Sequence, residues 1–414
     1  MAIETTTYWK VMKSQLSDPL YTNSLYILST RVLTVAAGFL FWMIAAQLYS
    51  VEDVGLGVAI LSSAAVVSMI ASLGFEHSII RFITRFELNR IVNSSILIVA
   101  VSSVIVGAGY CAITLLSPSR SIIQDLPVGP VVFVMFCTVN SVAILAGNAL
   151  LAIRKPFAYL AQNVIISSRV LILLPLVFLG SYGIFGSALA AQLLALGLVW
   201  YVFARTTRLD LKVDRGYVSS SLKYSAGTYV ANIFLNLPAL LMPIMVLTFL
   251  GEANAAIFYV AVSIGNFLPE VTFTLSTALF IEGSHGKNLR KNVGKILLVA
   301  YSLLVPGFLV FYIFGGHILS IYGGVYLEGL DLLILFAFSS FFTAIYYVFY
   351  TIQKVNMGVR SLVKLNGLLF VILLATSYLL MTRMGIVGAG YAMIATYVFM
   401  DLIVLFKAIK EKWI

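Results

Sequence analysis

The sequence predicts an all-α, polytopic membrane protein with twelve transmembrane helices in two six-helix bundles. Three observations lead to this prediction: the composition, the number and length of apolar runs, and a repeat that relates the two halves. Of the 414 residues, 61% are hydrophobic and only 10% are charged, whereas soluble domains average about 45–50% apolar and about 25% charged residues. A chain with so few polar groups cannot cover a surface that faces water, so lipid is its expected surroundings.

Apolar runs of about 20 residues, the length that crosses a bilayer, define the twelve predicted spans. The first run is longer than the apolar core of a signal peptide and has no cleavage-site pattern, so we expect an uncleaved first span. The spans lie at residues 24–49, 54–75, 91–116, 128–152, 160–181, 184–204, 225–250, 255–279, 294–316, 329–351, 362–382 and 386–406.

The charges of the loops predict how the chain is oriented. An even number of spans puts both termini on one side, and all but four of the 26 Lys and Arg residues lie on that side. The four exceptions are Arg120 and Arg383, in opposite loops, and Arg31 and Arg169, within spans. By the positive-inside rule, both termini are cytoplasmic in a multi-pass protein of the cell membrane. The basic loops also attract anionic lipid headgroups, and nothing in them specifies a nucleic-acid site.

Three sequence matches indicate that the two halves arose by duplication. "YGIFGSALA" (182–190) recurs as "MGIVGAGYA" (384–392), and "AIRKPFAYLAQN" (152–163) as "TIQKVNMGVRSLVKLN" (351–366). "LYSVEDVGLGVA" (48–59) matches "FLGEANAAIFYVA" (249–261). The matches keep one order at an offset of about 200 residues. They predict lobes 1–204 and 225–414 in parallel topology, joined by a cytoplasmic linker at 205–224.

Catalytic and metal-binding motifs are missing from the sequence. The run "EGSHGKN" (282–288) is the nearest approach to a phosphate-binding loop, but it lacks the first glycine and the final Ser or Thr. Cys111 and Cys137 fall in apolar spans, and the three histidines lie in separate loops without metal-ligand spacing. The outer loops are short for an enzyme that holds a sugar acceptor. We therefore expect no catalytic residue, no metal and no cofactor, and leave open a coupling ion, H⁺ or Na⁺.

Three ionisable residues lie deep within predicted spans. Counted from the cytoplasmic end of each span, Arg31 is roughly 10 Å deep, Arg169 roughly 13 Å and Glu270 roughly 15 Å. A cation at the centre of a bilayer costs about 2.5–3.5 kcal/mol on insertion scales, so such residues are functional candidates. Three charges in one layer predict a polar cavity with a net positive charge.

Amide side chains accompany these charges. Asn232 and Asn236 are four residues apart and share one face of span 7, and Asn266 is one turn from Glu270 in span 8. Pro269, beside Glu270, predicts a local break that frees backbone carbonyls. These three asparagines join the two arginines and Glu270 as candidate substrate-binding residues.

Each candidate also has an alternative, structural interpretation. Arg31 could extend its long side chain to the cytoplasmic headgroups, and Arg169 could be an ion-pair partner of Glu270. The two asparagines of span 7 could bond across helices. Asp401 lies near the end of the last span, where we expect it to be solvated.

Two stretches at the start of the chain resemble one transporter family. "AAQLYSVEDVGLGVAI" (45–60) and "SLGFEHSIIRFITRF" (72–86) resemble the start of the polysaccharide and O-antigen flippases of the multidrug/oligosaccharidyl-lipid/polysaccharide exporter (MOP) superfamily. Gln47 stands where that family usually has arginine. The positions that fit the family's pattern are Glu52, Asp53, Gly55, Leu73, Gly74, Arg81 and Phe82.

The resemblance implies two V-shaped six-helix bundles around a central cavity. It also implies alternating access that carries a lipid diphosphate-linked saccharide from the inner to the outer leaflet, with Arg81 and Arg85 at the cytoplasmic entrance. Implied partners are the lipid-linked saccharide and membrane lipids, with the chain acting as a monomer alongside glycosyltransferases or a polymerase. The family's cationic cavity residues match no motif here, so Arg31 and Arg169 are candidates on their burial alone.

Three alternatives remain open from the sequence. An ion-coupled antiporter for drugs or organic cations would favour carboxylates without arginines, so Glu270 fits it and the two buried arginines oppose it. A membrane glycosyltransferase or polymerase would need a catalytic carboxylate in an outer loop, and no constellation of partners surrounds the few acids there. A scaffold without transport activity would leave the buried charges unexplained.

Overall fold

The computed structural model describes residues 19–83, 85–116, 129–205, 212–284, 289–355 and 359–410. These ranges contain helices and short connections and no β-strand, which confirms the all-α prediction. Residues 206–211 of the predicted linker and the longest early outer loop (117–128) lie outside the described residues, as does part of the "EGSHGKN" run.

Fifteen α-helices and two short 3₁₀ segments make up these ranges. In the first half they are α1 (Pro19–Leu48), α2 (Val51–Ala71), α3 (Phe75–Phe82), α4 (Leu88–Leu116), α5 (Gly129–Ala152), α6 (Pro156–Ser167), α7 (Arg169–Leu173), a 3₁₀ segment (Leu174–Leu179) and α8 (Ser181–Ala204). In the second half they are α9 (Arg215–Leu250), α10 (Glu252–Gly265), α11 (Phe267–Ser284), α12 (Leu289–Ser320), a 3₁₀ segment (Gly324–Gly329), α13 (Leu330–Val355), α14 (Val359–Met384) and α15 (Val387–Lys410).

Eleven helical segments in the described part of the chain are long and apolar enough to cross a membrane. A twelfth span results when α10 and α11, which meet at a bend of 42°, are counted as one. The number and type of the predicted spans are therefore confirmed, and the protein is a multi-pass membrane protein. Span 8 is broken close to Pro269, where the sequence predicts a break, and span 5 begins at Pro156 rather than at residue 160.

Contacts between Cα atoms divide the chain into two compact units. The N-terminal unit comprises the described residues of 1–45, 67–117 and 123–225, and the C-terminal unit those of 46–66 and 226–414. The end of α1 and most of α2 thus group with the C-terminal unit. There the Gln47 Nε2 donates a hydrogen bond to the Ile321 carbonyl at 2.8 Å.

The N-terminal unit has an aromatic core at the end where α3, α4 and α9 meet. Tyr217, fully buried, lies edge-on to Phe75 and Phe82, and its hydroxyl pairs with Ser95 at 2.8 Å. Asp214 caps the start of α9 by accepting the Tyr217 amide at 2.9 Å. This hydrogen bond, aided by Arg90, holds the pKa of the Asp214 carboxyl below its usual range. The end of the predicted linker is therefore fastened to the N-terminal unit.

The C-terminal unit is built around α13, which packs against α10, α11, α12 and α15. A buried polar group braces it: the Tyr346 hydroxyl donates to the Asn366 Oδ1 at 2.6 Å, and the Asn366 Nδ2 donates to the Ala231 carbonyl at 2.8 Å. Since lipid offers no substitute partners, such bonds must be made within the protein. They tie α13 to α14 and α9, the helices that enclose the cavity described next.

Candidate functional site

A cavity of about 230 Å³ lies inside the C-terminal unit. It is lined by residues of α9, α10, α11, α13, α14 and α15 and by Asn266, between α10 and α11. Its polar groups are two amides and several hydroxyls, and aromatic and aliphatic side chains form the rest of the wall. The polar residues are Asn236, Tyr259, Ser263, Asn266, Thr343, Tyr347 and Tyr397.

Prolines shape three places in the cavity wall. Pro238 and Pro243 lie inside α9, where they remove the amide donors that would bond to the Phe234 and Ala239 carbonyls. Pro269 lies in the first turn of α11, a position that a helix tolerates because its amide would be unpaired there. All three prolines line the cavity, so carbonyls freed from helical bonds lie in or beside its wall.

The bend between α10 and α11 brings Asn266 to the cavity. The Asn266 amide still donates to the Val262 carbonyl at 2.9 Å, and the Glu270 amide donates to the Asn266 carbonyl at 3.2 Å. The predicted break therefore occurs at Asn266, three residues before Pro269. Glu270 is exposed in the next turn and interacts electrostatically with Tyr347, which lines the cavity.

The two asparagines of α9 have different environments. Asn236 is exposed and lines the cavity, and its Nδ2 donates to the Asn232 carbonyl at 2.8 Å. Asn232 does not line the cavity, and its Oδ1 accepts the Tyr350 hydroxyl at 3.3 Å. Asn232 thus makes a hydrogen bond between helices, which was the alternative to a binding role. Asn236 lies where a substrate-binding residue is expected.

Arg169 lies in the N-terminal unit at a break in span 5. The helix is interrupted at Ser168, whose hydroxyl turns back to the Ile165 carbonyl at 2.6 Å. The Arg169 guanidinium carbon is 4.5 Å from the centre of the Phe41 ring, and Phe41 is fully buried. A cation over an aromatic face gains about 0.5–2 kcal/mol. The side chain is half-buried, and the structure identifies the Phe41 ring as one of its neighbours.

The remaining predicted arginines are exposed. Arg31 is exposed on α1, and Phe41 lies ten residues further along that helix, or about 15 Å. Arg31 thus lies well along α1 from the residue that contacts Arg169, and the single layer of charge stays a prediction. Arg81, on α3, and Arg85, just after it, are also exposed.

A basic groove that the sequence analysis did not single out lies in the N-terminal unit. It has a volume of about 430 Å³ and is lined by Arg154, Lys155 and Arg205 together with Tyr26, Phe157 and Tyr201. The Arg205 guanidinium carbon is 4.3 Å from the centre of the Tyr201 ring. Its three cations belong to loops that the charge pattern predicts to be cytoplasmic. In the sequence they therefore indicated only the orientation of the chain, and not a groove.

Asp401 is buried, so the expectation that it is solvated is wrong. Its side chain lies on α15 and the residue is only 9% exposed. Within the described part of the chain, neither carboxylate oxygen has a hydrogen-bond partner. Asp401 is six residues before Lys407, hence about 9 Å further into the span, and its short side chain cannot bridge that distance.

Comparison with known proteins identifies the fold. No protein-family model matches the chain, and no curated protein matches it in sequence. Among solved structures, it is similar to an inward-facing multidrug resistance MATE family transporter of the MOP superfamily, with a TM-score of 0.72, 11% identity and coverage of 91% of this chain and 94% of that one. The chain has the fold of the MOP superfamily.

Two further solved structures have this fold. The lipid II flippase MurJ, in an inward closed conformation, matches with a TM-score of 0.70 and 12% identity over 94% of this chain and 87% of that one. A MOP superfamily transporter from Pyrococcus furiosus, described as having a binding pocket of reverse polarity, matches with a TM-score of 0.60 and 12% identity over 95% of this chain and 96% of that one. The shared MOP fold thus occurs in a lipid flippase and in multidrug transporters, so the fold leaves the substrate open.

Proposed function

We propose that this chain is a flippase that moves a lipid diphosphate-linked saccharide from the cytoplasmic to the outer leaflet by alternating access, for the assembly of cell-surface glycans. The observation that carries the proposal is the chemistry of the cavity in the C-terminal unit. Its described lining residues include amides, hydroxyls and aromatic rings, and no acidic or basic side chain is among them. A neutral cavity rich in hydrogen-bonding groups suits sugar hydroxyls, and its tyrosine and phenylalanine rings suit the apolar faces of sugars.

Cations of the N-terminal unit supply the complementary chemistry for the diphosphate. Guanidinium groups match phosphate oxygens in geometry and form strong charge-assisted hydrogen bonds. The contact with the face of the Phe41 ring stabilises the positive charge of Arg169. The basic groove of Arg154, Lys155 and Arg205 offers a first docking place for an anionic headgroup at the cytoplasmic surface.

An antiporter for organic cations is the second candidate, because Glu270 is exposed beside the cavity and because solved multidrug transporters share the fold. A cation site would need an acid in the wall of the cavity. The described wall has none, which favours the flippase.

The proposal includes a setting for the chain. We place it in the cell membrane with both termini cytoplasmic, acting as a monomer next to the glycosyltransferases or polymerase that make and use its substrate. It needs no catalytic residue and no organic cofactor, since translocation breaks no covalent bond.

Reconstitution into vesicles tests the proposal. A fluorescent polyprenyl diphosphate disaccharide in the vesicle membrane should become accessible to an impermeant reagent faster with the protein than without it. Asn236→Leu should slow this about threefold to tenfold, since a lost hydrogen bond is worth about 0.5–1.5 kcal/mol and about 1.4 kcal/mol is tenfold.

Asn254→Leu is the matched control for this experiment. The Asn254 Nδ2 also bonds to a carbonyl four residues before it, at 2.9 Å, but Asn254 does not line the cavity. Flipping should therefore persist in this variant. Export of a cationic dye by vesicles that do not flip the lipid would refute the flippase and favour the antiporter.

A further inference from the structure

Asp401 is a buried acid that has no role in the transport mechanism proposed above. It is nine-tenths buried on α15, and both of its carboxylate oxygens are shielded from solvent without a hydrogen-bond donor in the described part of the chain. An ionised carboxylate in such a place loses its hydration and gains nothing in return, which costs several kcal/mol. An ionised Asp401 would therefore need a compensating charge close to it.

The groups around Asp401 supply no such charge. Its electrostatic neighbours are three tyrosines: Tyr301 from α12, Tyr346 from α13 and Tyr397 from its own helix. The Tyr301 hydroxyl donates to the Phe341 carbonyl at 2.8 Å, and the Tyr346 hydroxyl to Asn366.

The described basic residues of α14 and α15 interact with other groups or are exposed. The Lys407 ammonium donates to the Ser361 hydroxyl and lies 5.7 Å from the centre of the Phe349 ring. Arg360 and Lys364, on α14, are exposed. Glu270, from α11, interacts with Tyr347 and brings no positive charge.

We infer that Asp401 is a proton-binding site of the C-terminal unit and that the structure holds it as the neutral carboxylic acid. A proton neutralises the group without further ligands. A metal ion would need several oxygen ligands, and the described residues contain no group of three acidic, His or Cys side chains that could hold one.

Tyr397 is next to both this site and the cavity. Tyr397 lies one turn before Asp401 on α15, so the two side chains are neighbours on one face of the helix. Tyr397 also interacts electrostatically with Tyr347, and both residues line the cavity. When this pair parts, solvent from the cavity reaches Asp401, and the proton leaves to a water molecule as the carboxylate becomes hydrated.

The site therefore links a proton to the state of the cavity. The closed tyrosine pair requires the neutral acid, and the open pair tolerates the anion, so binding of the proton favours closure. The consequence for transport rests on the proposed function: flipping of the lipid-linked saccharide should depend on a pH gradient through Asp401.

Infrared spectroscopy of the purified protein in lipid nanodiscs tests the site directly. At neutral pH we expect the carbonyl band of a protonated, weakly hydrogen-bonded carboxyl in the wild type, and its complete loss in Asp401→Asn. Asp331→Asn, which removes an exposed acid at the start of α13, is the matched control and should keep the band. If Asp401→Asn is not recovered folded, carbon-13 at the side-chain carboxyl of aspartate should shift the band in the wild type.

Three outcomes would overturn the inference. They are absence of the band from the wild type, its persistence in Asp401→Asn, and its replacement by a carboxylate band when Na⁺ is added at constant pH. In vesicles that contain the active protein, a pH gradient should speed flipping by the wild type and by Asp331→Asn. In Asp401→Asn the gradient should lose most or all of this effect. If the wild type flips no lipid, the proposed function fails, while the infrared band still decides whether Asp401 binds the proton.

Discussion

Replacement of Gly55 by alanine tests a close approach between two helix backbones in the C-terminal unit. Gly55 is in the first turn of α2, and a Cβ built on it would lie 1.9 Å from the carbonyl oxygen of Glu252 and 2.7 Å from its carbonyl carbon. Ordinary contact begins at 3.4 Å. The obstacle is backbone, which cannot rotate aside as a flexible side chain can, so α2 and the start of α10 would have to separate by about 1.5 Å.

The magnitude follows from two opposing effects. Overpacking of a well-packed site costs about 1–3 kcal/mol and sometimes more, while alanine in a helix is better than glycine by about 0.8–1 kcal/mol. Gly197→Ala in α8 is the matched control, because nothing lies within 4 Å of the Cβ it would add. That variant should keep the gain in helix propensity alone, so the two variants should differ by about 1–3 kcal/mol in stability.

The assay is the fraction of monodisperse protein that survives heating in detergent, measured by size-exclusion chromatography over a range of temperatures. Gly55→Ala should lose the monomer peak at a lower temperature than wild type, and Gly197→Ala at the same or a higher temperature. If Gly55→Ala proves as stable as Gly197→Ala, the close approach of α2 to the Glu252 backbone does not exist in the protein.

Two further predictions concern Arg169 and the orientation of the chain. If Arg169 serves the substrate, Arg169→Met should leave the empty protein as stable as wild type or more so, because it removes a cation from the span, which costs about 2.5–3.5 kcal/mol. The same variant should abolish flipping, and Arg169→Lys should restore flipping only in part. A strongly destabilised Arg169→Met, by about 3–5 kcal/mol, that Glu270→Gln rescues would instead make Arg169 a structural ion pair. Single cysteines can be placed at the exposed positions Ser219 and Ser320 in a chain from which the two buried cysteines have been removed. An impermeant thiol reagent added outside intact cells should label Ser320→Cys and should not label Ser219→Cys. Equal labelling would contradict cytoplasmic termini.

The spans were predictable because a helix that crosses a bilayer needs an apolar run of about 20 residues. The length of such a run can be read directly from a sequence. Pro269 likewise predicted the break in span 8, because a missing amide donor is a property of the residue itself. The interruption of span 5 at Ser168, just before Arg169, has no such signal, since the nearest proline that follows is Pro175, about two turns further along. The depth of Arg169 was counted from the start of its span, but the direction of its side chain, toward Phe41, depends on how α7 packs against α1.

The lining of the cavity was only partly predictable, for a different reason. In a soluble helix the apolar stripe identifies the packed face, but in lipid both faces are apolar. On α15, Met400 and Val404 are buried while Leu402 and Leu405 are exposed, and hydropathy does not distinguish the two pairs. The asparagines stood out by their polarity, so Asn236 and Asn266 were found. Tyrosines are frequent in this chain, so Tyr347 and Tyr397 did not stand out.

Arg31 and Asp401 show why the length of a side chain matters as much as the depth of its Cα atom. Arg31 lies roughly 10 Å and Asp401 roughly 8 Å from the predicted cytoplasmic end of its span, at a rise of about 1.5 Å per residue. An arginine at that depth can extend its guanidinium toward the headgroups, and Arg31 is exposed on α1. An aspartate has one methylene group and no such reach, so at a similar depth it needs a partner, water or a proton. Among the described residues Asp401 has no hydrogen-bond partner, and its carboxylate oxygens are shielded from solvent, which leaves the proton.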